Sequence, residues 1–290
     1  MVFLKENLFK AYTKKGFLVL IGGAEDKRDN KHILKRTLEL NNAKNIAVIP
    51  SASSYPVGVA EDYIYAFRDL GAETVNVIDV RDHSEADNED FLTKIDAADL
   101  IFFTGGDQVK LFNTFKGTAL IERIIQKHNE GTTIAGTSAG AAAAGDPIFC
   151  DGDYNGLKKG SIHISEGFGF IKNVTIDTHF VNRGRLGRLT QFLCTGISKR
   201  GIGLGEDTAI IVYPTNYFEV IGSEMVSVLS TEDITYTNYD EIETGEPIAI
   251  DGLKVGFLQT GSVFNLDTWR VETGNVNKTP LIKSIERIFS

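Results

Sequence analysis

Through the first half of the chain, short and almost wholly apolar runs alternate with longer segments of helical periodicity. Gly16 to Gly23 (GFLVLIGG), Asn45 to Ser51 (NIAVIPS), Thr74 to Val80 (TVNVIDV), Asp99 to Gly106 (DLIFFTGG) and Thr132 to Ser138 (TTIAGTS) are such runs. They read as strands covered on both faces, because a half-solvated strand would show polar residues at alternate positions. Between them KHILKRTLEL, GVAEDYIYAFRDLG, NEDFLTKIDAA and ALIERIIQKHNEG carry apolar residues at helical spacing, and several close on Gly or Asn. Strand and helix in repeated alternation predict a mostly parallel sheet with helices on both faces, a three-layer α/β fold.

After Ser138 the pattern changes. Asn173 to Phe180 (NVTIDTHF) and Gly201 to Tyr213 (GIGLGEDTAIIVY) read as further strands, separated by a helical GRLTQFLCTGIS. YFEVIGS, MVSVLS, EPIAID, KVGFLQTG and SVFNLDTW follow as short runs with turn residues between them, a β-rich C-terminal extension. TPLIKSIERIFS is expected to close the chain as a helix, with Thr279 as its cap and Pro280 in the first helical position. With no linker-like stretch or internal repeat, the expectation is one domain over residues 1–290, its core about 16–213 and its extension about 214–290.

In an open parallel sheet, ligands bind beyond the carboxyl ends of the strands. Those ends read GGAED, PSASS, TGGDQ and GTSAG, all rich in Gly, Ser and acidic or amide groups. Gly136-Thr137-Ser138-Ala139-Gly140 fits the G-x-S-x-G nucleophile elbow, in which a sharp turn lifts a serine hydroxyl above the sheet. A serine hydroxyl is a poor nucleophile without a base, and the base needs a third group to orient it. Among five histidines, His32 and His128 sit in predicted polar helix faces, His83 in an acidic loop and His163 in a polar segment, so each reads as solvated surface. His179 differs, because it ends a predicted strand and so reaches the rim that carries Ser138.

GIGLGEDTA offers Glu206 and Asp207 as carboxylates at another strand end. The N–H of Ala139, with that of Gly105 or Gly106, supplies a candidate oxyanion hole. Arg183, Arg185 and Arg188 cluster just after His179, a pattern suited to holding substrate carboxylates in bidentate pairs. Asp177, on the same strand face as His179, is placed to meet a substrate cation or to hold one of these arginines.

Composition narrows the partners. A chain of 290 residues, 42% hydrophobic and 24% charged, can bury a sizeable core. Its formal charge of -9, from 39 acidic and 30 basic residues, disfavours nucleic acid and anionic membrane as partners. Cys150 and Cys194 are too few for a disulfide framework or a cysteine-based metal site and read as small apolar residues. GFLVLIGGA falls far short of the roughly 20 residues of a membrane span, and no cleavage pattern follows it, so the expected location is the cytoplasm. A homodimer is the expected assembly.

Taken in order, FTGGDQ, GTSAGAA, DTHFVNRGRLGRL and GIGLGEDTA resemble the cyanophycinases and their relatives among the aspartyl dipeptidases (peptidase E). The resemblance runs from about Gly16 to Tyr213, with a weaker continuation to Trp269. It implies a flavodoxin-like α/β fold and a Ser-His-Glu triad, with Ser138 as nucleophile, His179 as base and Glu206 as its partner. It further implies substrate contacts from Gln108, Asp177, Arg183, Arg185 and Arg188, and neither metal nor cofactor. The substrate it implies is cyanophycin, a poly-aspartate whose β-carboxyls carry arginine through isopeptide links, cleaved through an acyl-enzyme to β-Asp-Arg dipeptides. Two positions depart from the family pattern: Thr178 stands where cyanophycinases have Gln, and Gly205 where that branch often has Asp. Other readings of the same residues are an aspartyl dipeptidase acting on short peptides, and a non-catalytic module that binds an anionic metabolite through its arginines.

Overall fold

The computed structural model describes residues 14–152 and 156–272. Strands β1 (Leu18–Ile21), β2 (Asn45–Ile49), β3 (Thr74–Val77), β4 (Leu100–Phe103) and β5 (Thr133–Thr137) pair in parallel in the order β1-β5-β4-β2-β3. On the free side of β1 the antiparallel strands β10 (Thr208–Val212), β11 (Tyr217–Gly222), β16 (Val263–Asn265) and β17 (Arg270–Val271) complete a nine-stranded sheet.

Successive strand residues face opposite ways, so β1, β2, β4 and β5 each feed two cores. Val19, Ile21, Val48 and Phe102 pack against helices α1 (His32–Glu39) and α2 (Pro56–Asp69). Leu20, Ile49 and Phe103 meet α3 (Glu89–Asp96), α4 (Gln108–Phe115), α5 (Ala119–Glu130) and the short α6 (Ala139–Ala143) on the other face. Each fully buried side chain of this size contributes about 1.5–3 kcal/mol of transfer free energy. That double burial is why these strands lack polar alternation, and it makes the three-layer αβα arrangement.

A second, four-stranded sheet has the order β15 (Lys254–Leu258), β12 (Val226–Ser230), β9 (Arg200–Leu204), β8 (Thr175–Asp177). Helix α7 (Leu186–Cys194) packs Leu189, Phe192 and Leu193 onto it beside Phe180 and Leu229. A hairpin of β6 (Ile148–Gly152) and β7 (Ile162–Ser165) and a two-stranded pair of β13 (Tyr236–Thr237) and β14 (Ile250–Asp251) account for the other strands among the described residues.

Three expectations are corrected. Thr74 to Val80 is not covered on both faces: β3 is an edge strand, exposed at Thr74 and only half-buried from Val75 to Val77. GIGLGEDTAIIVY is not one strand: β9 belongs to the four-stranded sheet and β10 to the nine-stranded one, and the chain crosses between them at Gly205 to Asp207. His128 is buried rather than solvated, because four-residue steps along α5 put it in line with Leu120 and Ile124. Its Nδ1 donates to the Thr132 carbonyl oxygen at 3.3 Å. Burial, and then the charge of Lys15, push its pKa down to about 4. His32, His83 and His163 are exposed, as expected. Cys194 is a half-buried free thiol. The Cys150 side chain and the terminal helix expected around Thr279 and Pro280 lie outside the described residues.

Candidate active site

Where β5 ends and α6 begins, Ser138 adopts φ 51 and ψ −112, a strained conformation for a residue with a Cβ. The turn is tight enough that a Cβ on Gly140 would run into the Phe103 carbonyl oxygen. Ser138 Oγ is thereby raised over the carboxyl edge of the sheet, where it lies 2.9 Å from His179 Nε2. His179 Nδ1 in turn lies 2.6 Å from Glu206 Oε1. The three side chains come from the end of β5, the loop after β8 and the crossing between β9 and β10, and they form one hydrogen-bonded succession.

The carboxyl end of β1 holds these three segments together. Ser138 N–H donates to Ile21 O at 3.0 Å, His179 N–H to Gly22 O at 2.8 Å and Asp207 N–H to Gly23 O at 2.9 Å. Gly23, at φ 101, lies directly under the His179 ring, and a Cβ there would be 2.5 Å from Nε2. Glu206 has its own support: its N–H donates to Asn182 Oδ1 at 3.1 Å, and Asn182 Nδ2 donates to Glu224 Oε1 at 2.9 Å. Of the two acids in the Glu-Asp pair, Asp207 turns elsewhere. Its Oδ1 accepts from Asp26 N–H at 3.1 Å and its Oδ2 from the Ser223 hydroxyl at 2.8 Å.

The nucleophile's neighbour Thr137 donates its hydroxyl to Glu25 Oε2 at 2.6 Å. Tyr63, on α2, donates its phenol to the other oxygen of the same buried carboxylate. Burial, and then the charge of Glu25, push the Tyr63 phenol well above its usual range, so it stays a donor. Sequence reasoning placed GGAED at the rim but gave Glu25 no role; its partner lies 38 residues away. Asn182 was passed over too, though it stands inside the same THFVNRGR stretch.

The expected oxyanion donors lie around Ser138. Ala139 opens α6, where a helix leaves its first N–H groups without intrahelical partners. A Cβ on Gly105 would sit 3.8 Å from Ser138 Oγ, and among the described residues neither Gly105 nor Gly106 donates its N–H to a backbone carbonyl.

A cavity of about 130 Å³ opens beside Ser138, lined in part by Gly106, Gln108, His179, Arg183 and Arg185. The arginines divide into two kinds. Arg188 also borders the cavity, but it is buried: its Nε donates to Asp177 Oδ2 at 2.9 Å, its Nη2 to Asp177 Oδ1, and its guanidinium lies 4.4 Å from the centre of the Phe149 ring. Arg185 Nη1 donates to Thr178 O at 2.7 Å and approaches Asp177 Oδ1 at 3.3 Å. Arg183 is exposed and has no carboxylate within ion-pair distance among the described residues. Of the two roles open to Asp177 from sequence, the structure shows it holding arginines. Gln108 Nε2 donates to Phe149 O at 2.9 Å, which ties α4 to the cavity wall. Asp107 caps α4 by accepting from Val109 and Lys110 N–H, and so fixes where Gln108 begins.

Among the described residues no group of three or more His, Cys, Asp or Glu side chains could hold a metal ion, and no helix is long and apolar enough to cross a membrane.

The curated cyanophycinase of Geminocystis herdmanii is 35% identical over 271 residues, covering 92% of this chain and 99% of its own. The cyanophycinase of Trichormus variabilis is 34% identical, covering 88% and 86%. The crystal structure of a peptidase from an acI-B1 Actinobacterium superposes with a TM-score of 0.63 at 24% identity, over 87% of this chain and 97% of that one, a likeness of fold. The sequence profile of peptidase family S51 matches residues 18–219, and the chain belongs to that family.

Proposed function

We propose that this chain is a serine-type exopeptidase that hydrolyses cyanophycin at its aspartyl backbone and releases β-Asp-Arg dipeptides through an acyl-enzyme. The observation that carries this reading is the succession Ser138 Oγ, His179 Nε2, His179 Nδ1, Glu206 Oε1, with spacings of 2.9 and 2.6 Å, at the edge of an arginine-lined cavity. The names of the curated relatives supply the substrate class.

The chemistry follows from that geometry. Ser138 Oγ attacks the scissile carbonyl while His179 Nε2 takes the hydroxyl proton. Negative charge on the former carbonyl oxygen meets the N–H groups of Ala139 and of Gly105 or Gly106. His179 then gives its proton to the departing amine, leaving an ester on Ser138. Water attacks that ester, loses a proton to His179 Nε2, and releases the dipeptide as the Ser138 hydroxyl is restored. Glu206 accepts from Nδ1–H throughout, which fixes the tautomer and stabilises the imidazolium.

The cavity of about 130 Å³ is smaller than the roughly 300 Å³ at which small-molecule sites usually begin, which suits it to the end of a chain. Exposed Arg183, with Arg185 beside it, suits the free α-carboxylate of the substrate's arginine. Incubation with insoluble cyanophycin and mass spectrometry of the products tests the reading. Ser138→Ala should abolish release of β-Asp-Arg without altering the thermal melt, and full activity in that variant would refute the serine mechanism. A panel of polymer, β-Asp-Arg and Asp-X dipeptides separates this activity from that of an aspartyl dipeptidase.

A further inference from the structure

A second cavity, of about 360 Å³, lies at the opposite edge of the sheet. Its walls include Lys15 and Gly16 before β1, Lys172 to Val174 before β8, and Val212 to Pro214 at the end of antiparallel β10. The five residues of β5 separate this edge from Ser138, a distance of roughly 15 Å at about 3.3 Å per strand residue. Its volume falls within the range of about 300–1,000 Å³ typical of small-ligand sites.

The charge inside is unbalanced. Arg200 is already engaged, with its Nε on Glu232 at 2.9 Å and its Nη1 on Leu266 O at 2.7 Å. Asp267 is the one carboxylate among the lining residues, and its Oδ1 accepts from Asn216 Nδ2 at 3.0 Å. Lys15 and Lys172 have no counterion or hydrogen-bond acceptor among the described residues. Lys15 and Lys172 are both exposed at the mouth of the cavity; partial desolvation, and then the neighbouring Lys172, lower the Lys15 pKa, so the two ammonium groups repel each other on a chain whose net charge is -9. Behind them the buried His128 keeps its Nε2 without a partner. A buried ring nitrogen without a partner is uncommon; here its lone pair borders a cavity whose mouth carries two lysines with no counter-charge among the described residues, so a group bringing negative charge together with an O–H donor would satisfy both.

We propose that this cavity is a second binding site, separate from the Ser138 rim, for a compact dianion bearing carboxylate or phosphate groups, held between the Lys15 and Lys172 ammonium groups. An anion there removes the repulsion between the lysines and forms charge-assisted hydrogen bonds with both.

Isothermal titration of the full chain with succinate, and separately with inorganic phosphate, tests the site. The wild type and Ser138→Ala should bind one equivalent of at least one probe, and the tighter probe names the ligand's chemistry. Lys15→Ala and Lys172→Ala should each weaken binding about tenfold, the effect of losing one charged hydrogen bond. Lys172→Arg should retain it, and Arg183→Ala should leave it unchanged. In an NMR titration the bound anion should raise the His128 pKa from about 4, because it offsets the Lys15 charge that helps to hold it down. Three results would overturn the proposal: no binding of either probe at millimolar concentration, binding that survives both lysine truncations, or binding lost with Arg183→Ala.

Discussion

Replacing Gly23 with alanine places a methyl group where the His179 ring now lies. The new Cβ would be 2.5 Å from Nε2, whereas carbon and nitrogen atoms rest at about 3.5 Å or more. The ring must therefore retreat by about 1 Å. It cannot do so freely, since Nε2 is 2.9 Å from Ser138 Oγ and Nδ1 is 2.6 Å from Glu206, and retreat lengthens the first contact. Misplacing a reacting group by about 1 Å costs about 10²-fold in rate, and complete loss of the base sets an outer bound of about 10⁶-fold. The backbone adds a separate cost, because alanine at φ 101 is strained by about 1–2 kcal/mol. For a chain of this size that lowers the melting temperature by roughly 2–8 °C.

Initial rates on cyanophycin at several concentrations separate kcat from KM, and a circular-dichroism melt reports the fold. The expected result is kcat reduced by at least about 10²-fold, and by no more than the roughly 10⁶-fold of a missing base, in a protein that still melts cooperatively. Gly58→Ala is the control: nothing lies within 4 Å of a Cβ in that turn of α2, so it should leave kcat unchanged and stabilise by up to about 1 kcal/mol. A folded Gly23→Ala enzyme with wild-type kcat would refute the role given to the His179 position.

Three further outcomes follow from buried polar groups. Tyr63→Phe removes the phenol that donates to Glu25 and leaves Oε1 of that buried carboxylate without a hydrogen bond, with only the Lys27 ammonium at 3.7 Å, so urea unfolding should show a loss of about 1–3 kcal/mol. Asp177→Asn strips the counter-charge from buried Arg188, and a loss of about 3–5 kcal/mol is expected from the same measurement; an unchanged midpoint would show that the pair is not desolvated. His128 is held neutral in the fold with a pKa of about 4, whereas an unfolded imidazole titrates near 6.5. Protons therefore favour the unfolded chain: this contribution is intact above about pH 6.5, declines as pH falls to about 4, and is on the order of 3 kcal/mol in full. His128→Phe should flatten that window of the stability profile, and an unchanged slope would refute the assignment.

How much of this was legible in the sequence depended on whether the information was local. Four of the five parallel strands could be read because burial on both faces suppresses polar alternation, although Asp99 to Gly106 overshot β4, which ends at Phe103; the edge strand β3, TVNV, is only partly buried and alternates. The hairpin of β6 and β7 went unread, and so did α4, despite the cap signal at Asp107 that the structure shows in use. The split of GIGLGEDTAIIVY could not be seen from periodicity, since β9 and β10 are both apolar and differ only in which sheet receives them. An elbow motif and two strand ends carry local marks that point to Ser138, His179 and the Glu206-Asp207 pair, whereas the choice of Glu206 over Asp207 comes from the family resemblance. Glu25 carries no such mark, because an acid beside Asp26 in a loop looks solvated until α2 brings Tyr63 over it.

Strain and support coincide at the site in a way that explains why β1 must end in Ile21-Gly22-Gly23. Ser138, His179 and Asp207 have φ values of 51, 48 and 44, a region where non-glycine residues are uncommon. Each such residue costs on the order of 1–3 kcal/mol and persists only where its surroundings over-determine it. Here the three donate their N–H groups to three consecutive carbonyls, Ile21, Gly22 and Gly23. One short segment at the strand end thus offsets the strain of three separate turns and sets their spacing. A Cβ on Gly22 would meet the Gly205 carbonyl, as one on Gly23 would meet the His179 ring, so the approach that makes these bonds also excludes side chains. The hydroxyl, imidazole and carboxylate converge because their backbones share this strand end, and their side-chain hydrogen bonds are the consequence.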